Sequence, residues 1–205
     1  MRNADLNGQN ADLELRAGLP DQLRELARLF PRQTWAAHDN FGPLTRFWLE
    51  RHAMFRKLMA QLQADARALA GREMDPIRYA PRLSRLGGMF VGQLHEHHHV
   101  EDDHYFPMLA TREHALQRGF DLLEADHHAI AEALDTFTRE ANALLSSTDA
   151  SPREDASLNE TAVAGQAARF VETLDRFDRL LVRHLKDEEE IIVPVLLKYG
   201  ENGFY

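Results

Sequence analysis

Two stretches of the chain repeat one pattern at helical spacing. His97, Glu101 and Pro107 fit H-x3-E-x5-P, and so do His184, Glu188 and Pro194. The flanks agree as well: Leu94 matches Leu181, Asp102 matches Glu189, Phe106 matches Val193 and Leu109 matches Leu196. Four residues are just over one helical turn, so each His and its Glu project from one face. An imidazole beside a carboxylate is a ready pair of metal ligands. Two such pairs on two helices can close on one metal cluster from opposite sides.

The rest of the chain supplies helices to carry them. Apolar residues recur at helical spacing in four long segments, about 42–70, 76–109, 113–145 and 158–199. Gly71 and Gly200 are their clearest stops, and Ser146 to Pro152 is the clearest loop. A short amphipathic helix starts at Pro20-Asp21, with Leu23, Leu26, Leu29 and Phe30 on one side and Pro31 as its stop. Residues 1–19 read as a loose polar tail. No segment alternates as a strand would. The chain is therefore predicted to be all-α: an antiparallel up-down-up-down four-helix bundle over residues 40–200, preceded over 1–39 by a tail and a short extra N-terminal helix.

Helical phase sorts the histidines. At about 100° per residue, Phe90, Leu94, Glu101, His104 and Met108 fall on the side of His97. His95 and His99 fall opposite, and His98 lies at the border. On the last segment, Phe177, Leu180, Leu181, Ile191 and Val195 surround His184 and Glu188, while Asp187, Glu189 and Glu190 read as a solvated face. The other two segments each hold one His in phase with their apolar stripe: His52 among Trp48, Phe55, Met59 and Leu62, and His127 among Leu123, Ile130, Leu134 and Phe137. A lone His on an apolar face is ordinarily a hydrogen-bonded core residue. Four of them, one per helix, point instead to a shared site. His104 stands where the second copy has Ile191, which suggests packing or a supporting hydrogen bond. His38 and His114 lie near helix ends and carry little weight.

Composition excludes several classes. The chain has 205 residues, a net charge of −9 and no cysteine. The charge argues against nucleic acid as a partner. The missing thiols remove disulfides, thiolate zinc sites, iron–sulfur clusters and cysteine nucleophiles. No signal-peptide core is present and no apolar run approaches ~18 residues, so a membrane role is not expected and a cytoplasmic protein is.

The stretches ERHAMFRKL, HHHVEDDHYFP, EADHHAI and RHLKDEEEIIVP resemble the hemerythrin-like, or HHE cation-binding, family over roughly residues 40–199. The resemblance implies an antiparallel four-helix bundle around a non-haem di-iron centre. Its metal ligands would be His52, His97, Glu101, His127, His184 and Glu188, with the histidines terminal and Glu101 and Glu188 bridging two Fe ions. An oxo or hydroxo bridge completes that picture. Ferritin-type bundles, the nearest competitor, use E-x2-H pairs; of the four in-phase histidines His127 follows Glu124 at that spacing, whereas His52, His97 and His184 each have a Leu there. The chain departs from the oxygen-carrying members at Ala131, where they place a further His. Four imidazoles then leave about two of roughly twelve octahedral positions open. On that count the reduced protein is expected to oxidise in air, unless Glu132, His128, Glu124 or His104 fills the gap. The leading expectation is a protein that binds or senses dioxygen, nitric oxide or iron and redox state. The alternatives are an enzyme that reduces oxygen or peroxide, and an iron scavenging or storage protein.

Overall fold

The structure, a computed structural model, describes residues 12–148 and 156–204, the side chains of 156–159 excepted. Part of the expected tail, residues 1–11, and most of the expected loop, from 149 on, lie outside the described residues. Among the described residues there is no strand. The elements are α1 (Glu25–Leu29), α2 (Pro43–Ala70), α3 (Pro76–Val100), a π turn (Glu101–Tyr105), α4 (Phe106–Arg112), α5 (Gln117–Thr148) and α6 (Ala156–Tyr199), with short 3-10 turns at Asp21–Leu23, Arg32–Ala37 and His114–Leu116. No helix among the described residues is long and apolar enough to cross a membrane.

Local chemistry accounts for the helix ends. The carboxylate of Asp75 accepts the Ile77 N–H at 2.8 Å, so Asp75 caps α3, and Pro76 follows at the first helical position, where its missing donor costs nothing. At the start of α2, Glu201 accepts the N–H groups of Leu44 and Thr45 at 3.0 and 2.8 Å and the Thr45 hydroxyl at 2.7 Å. Gly42 makes this approach possible, because a Cβ there would meet a Glu201 oxygen at 2.1 Å. α6 stops at Gly200, whose φ of 73° is left-handed and whose N–H returns to the Leu196 carbonyl at 2.8 Å.

The chain forms two compact units. One gathers Met54–Glu96 and Ile130–Arg179. Its interior is aromatic: Phe90 meets Phe55, Phe137 and Phe177 edge-on or tilted, with ring centres 6.4, 5.9 and 5.5 Å away, and Phe170 lies 5.5 Å from Phe137. These rings come from α2, α3, α5 and α6, and each is buried. Arg82 grips the Asp65 carboxylate with two bonds of 2.9 Å.

The other unit gathers the described residues up to Ala53, His97–Ala129 and Leu180 onward. Leu19, Leu23 and Leu26 pack into its core with Trp48, Phe106 and Ile191. Leu13, Arg16 and Leu19 are buried, so residues 12–19 are not the loose segment that their polarity suggests. Pro31 follows α1 as expected, yet Leu29 at the helix end is 68% exposed, outside the stripe expected of it. Phe47 is likewise exposed and lies under the Arg51 guanidinium.

Candidate metal centre

The second unit also buries the imidazoles of His52, His98, His127 and His184 and the carboxylates of Glu101, Asp126, Asp187, Glu188 and Glu189, and this is its most costly feature, since a buried polar group without a partner is destabilising. His52, His127, His184, Glu101 and Glu188 are all buried; His97 is nearly so. The six residues expected from the sequence come together. His52, His97, Glu101 and Glu188 offer donor atoms within 4.8 Å of one another, and a second set within the same limit is His98, His127 and His184.

The carboxylates join the two sets. Glu101 places Oε1 3.0 Å from His97 Nε2 and Oε2 3.5 Å from His127 Nε2. Glu188 places Oε1 3.3 Å from His52 Nε2 and Oε2 3.3 Å from His184 Nε2. Each carboxylate thus presents one oxygen to each imidazole set. The Nε2 atoms of His52, His98, His127 and His184, both oxygens of Glu101 and Oε2 of Glu188 are buried without a hydrogen bond. These are lone-pair donors facing one another, and bound metal would resolve the cost. Imidazole and carboxylate without thiolate suit iron or manganese, so the residues present fit the group.

A surrounding layer of carboxylates orients the rings. Nδ1 of His52 bonds Glu189 at 2.9 Å, Nδ1 of His127 bonds Asp102 at 2.8 Å, and Nδ1 of His184 bonds Asp126 at 3.3 Å. A carboxylate on Nδ1 holds the proton there and turns the Nε2 lone pair inward. The Trp48 indole N–H donates to Glu188.

Electrostatics sharpen the picture of a proton-sharing cluster. Burial, with Glu188 opposite, pushes Glu101 well above the usual carboxylate range. Glu188 is held well below it, because His52 and His184 outweigh its burial. Burial lowers His97 to about 3 and, with His127 and His184 beside it, drives His98 well below the usual imidazole value. His184 goes the other way: its burial is overcome by the hydrogen bond to Asp126 and the Glu188 carboxylate beside it, which hold it up at about 9.

The phase argument places His97 inward and His95 and His99 outward, and the structure agrees, since His95 and His99 are exposed. His98, at the border, is buried and stacks on His127 with ring centres 3.9 Å apart. It enters through the wall toward α5 while His97 enters toward α2. A helix buried on two sides has two inward directions, which a single apolar stripe conceals. The candidates for an extra donor, Glu132, His128, Glu124 and His104, are all exposed. His104 turns out because the Phe106 N–H returns to the Glu101 carbonyl, a five-residue step that slips the phase by one position. Tyr105 and Phe106 then take the inward slots. Asp187 and Glu189 are buried rather than solvated. The signal for Glu189 and Asp102 was their identical place, one residue after the Glu in each copy.

A family model for the hemerythrin HHE cation-binding domain matches residues 44–196. No curated protein and no solved structure matches the chain.

Proposed function

The chain belongs to the hemerythrin HHE cation-binding family, and from that premise we propose that its buried donors hold a non-haem di-iron centre that binds or senses dioxygen or nitric oxide. In this reading the body is an antiparallel up-down-up-down bundle over residues 40–200, preceded by a short helical segment. The ligands are His52, His97, Glu101, His127, His184 and Glu188, with His98 as a seventh. Glu101 and Glu188 would each offer an oxygen to either iron, and an oxo or hydroxo bridge would complete the centre.

One observation carries the reading: each carboxylate turns its two oxygens to two different imidazole sets. A single cation needs no such division. When bound, a di-iron pair supplies reversible one-electron chemistry and an open position for a small ligand. The protein residues decide where that position falls. Three imidazoles serve one set and two serve the other, so the His52/His97 side has one donor fewer and is where an external ligand fits. His98 supplies the imidazole that Ala131 does not, and the air oxidation expected from four imidazoles loses its basis. The surrounding carboxylates fix the ring orientations before any ligand arrives.

Elemental analysis of protein purified without a polyhistidine tag tests the metal content, with about two irons per chain expected. Titration of the reduced protein with nitric oxide then reads the open position. One nitric oxide per iron pair fits the five-imidazole arrangement. Two per pair, or iron near one per chain, would overturn it. Stripping the metal should lower the melting temperature, and Fe²⁺ should restore it, because the ion binds the folded state only.

A further inference from the structure

The residues before α2 lie outside the family match, yet they reach both imidazole sets. Arg16 is buried, its side chain 1% exposed. It bonds both oxygens of Asp126, Nη1 to Oδ1 at 2.7 Å, and its Nε bonds Asp187 at 2.7 Å. Asp126 in turn holds Nδ1 of His184. Arg183 fastens the same stretch to α6, with Nη1 on the Ala17 carbonyl at 2.7 Å and Nε on Asp187 at 2.9 Å. Sixteen residues later the pattern recurs. Arg32 bonds Glu189 Oε2, and Glu189 Oε1 holds Nδ1 of His52 at 2.9 Å. The Arg32 guanidinium lies 4.9 Å over the Trp35 ring, which is itself buried. Each set thus has one imidazole at the end of a chain running arginine, carboxylate, Nδ1.

We propose that residues 12–37 form a strap whose two arginines, Arg16 and Arg32, set the donor strength of the metal centre from outside its ligands. The inference rests on the di-iron reading above. A carboxylate that accepts an imidazole N–H draws the proton and raises the basicity of the opposite nitrogen. A guanidinium on that carboxylate takes up part of its charge and weakens the draw. With the strap docked, His184 and His52 are the weaker donors and the ferrous state is favoured. With an arginine withdrawn, the carboxylate pulls harder, the imidazole donates more strongly and the ferric state gains. The two arms differ in exposure: Arg32 is 57% exposed at the side chain, whereas Arg16 is enclosed. Arg32 is therefore the arm that a change in the strap's docking would release first. Both are positioning residues, acting through Glu189 and Asp126.

The test uses the full-length, iron-loaded protein. Arg32→Ala removes the exposed arm without leaving a hole in the core. Its midpoint potential, read by spectroelectrochemistry, should fall by an amount equal to roughly a tenfold shift of the ferric/ferrous equilibrium, about 59 mV for one electron. Iron content and melting temperature should stay near wild type, and Arg32→Lys should recover part of the shift. Arg16→Lys keeps a cation against Asp126 and Asp187 but loses the two-pronged bond, so it should fold and shift the potential in the same direction. Unchanged potentials in Arg32→Ala and Arg16→Lys at full iron content would overturn the strap proposal and leave the di-iron reading standing. Wild-type protein that holds no iron would overturn the di-iron reading, and the strap proposal with it.

Discussion

The two copies of H-x3-E-x5-P share their spacing but not their backbone. The second stays in the regular α6 helix through Pro194. The first changes to a π turn at Glu101, just before Pro107. A proline at the same place in both copies cannot explain the difference. What differs is the neighbour of each His: Leu185 goes to the core in the second copy, while His98 adds a donor in the first. One copy therefore gives two imidazoles and a carboxylate that faces both sets, the other one imidazole and a carboxylate that faces both sets. The residue after each Glu does the same task in both, reaching an imidazole of another helix, Asp102 to His127 and Glu189 to His52. Spacing dictates the shared pair and its supporting acid, and the residues between decide how much each copy contributes.

The largest test of this equivalence removes the two shared carboxylates one at a time. Glu101→Ala and Glu188→Ala should each reduce iron from about two per chain to well under one, read by elemental analysis. Loss in one variant and full retention in the other would break the equivalence at its centre. The next test sets the two neighbours against each other. His98→Ala should keep the fold, lose part of the iron and alter the charge-transfer spectrum. Leu185→Ala, at the matched position, should keep the iron and lose about 2–5 kcal/mol of stability in a denaturant titration. His99→Ala, one residue on and exposed, should do neither.

The supporting acids give a smaller, graded effect. Asp102→Asn and Glu189→Gln should each weaken metal affinity by roughly 10–100-fold, measured by competition with a chelator. Glu189→Gln should be the more damaging, since its side chain is 1% exposed against 31% for Asp102. A reversed order would show that burial does not set their weight. The smallest effect belongs to the metal-free protein. Because Glu101 is raised, its folded form favours the proton, and its contribution to stability is present below its unfolded value and fades as pH rises through the folded one. Glu101→Gln should remove that slope and raise the metal-free melting temperature by a few degrees at neutral pH, since about 1 kcal/mol moves it about 2–4 °C. Calorimetry at acidic and neutral pH reads it.

Helical phase was enough to bring His52, His97, His127 and His184 to one interior, since each lies in an apolar stripe of its own helix. It was not enough for His98, which faces a second wall. The supporting acids eluded it for another reason. Asp187 and Glu189 look like solvated charge on their own helix, and what buries them is Arg16 and Arg32, more than a hundred residues away. The π turn has no signature in periodicity, so the outward turn of His104 was not legible either. The polar composition before Pro20 hid Leu13, Arg16 and Leu19, because three anchors in such a stretch weigh little in an average.

The carboxylate of Glu201 has a practical consequence for anyone attaching a label to this protein. It caps the helix that carries His52 from just beyond the helix that carries Glu188. The residues after it are fastened as well: Arg112 donates to the Asn202 carbonyl at 2.8 Å and lies over the Phe204 ring, which is buried. A fluorophore or affinity handle attached between Glu201 and Phe204 would disturb these contacts, and cutting the chain back to the end of α6 would uncap the opposite helix.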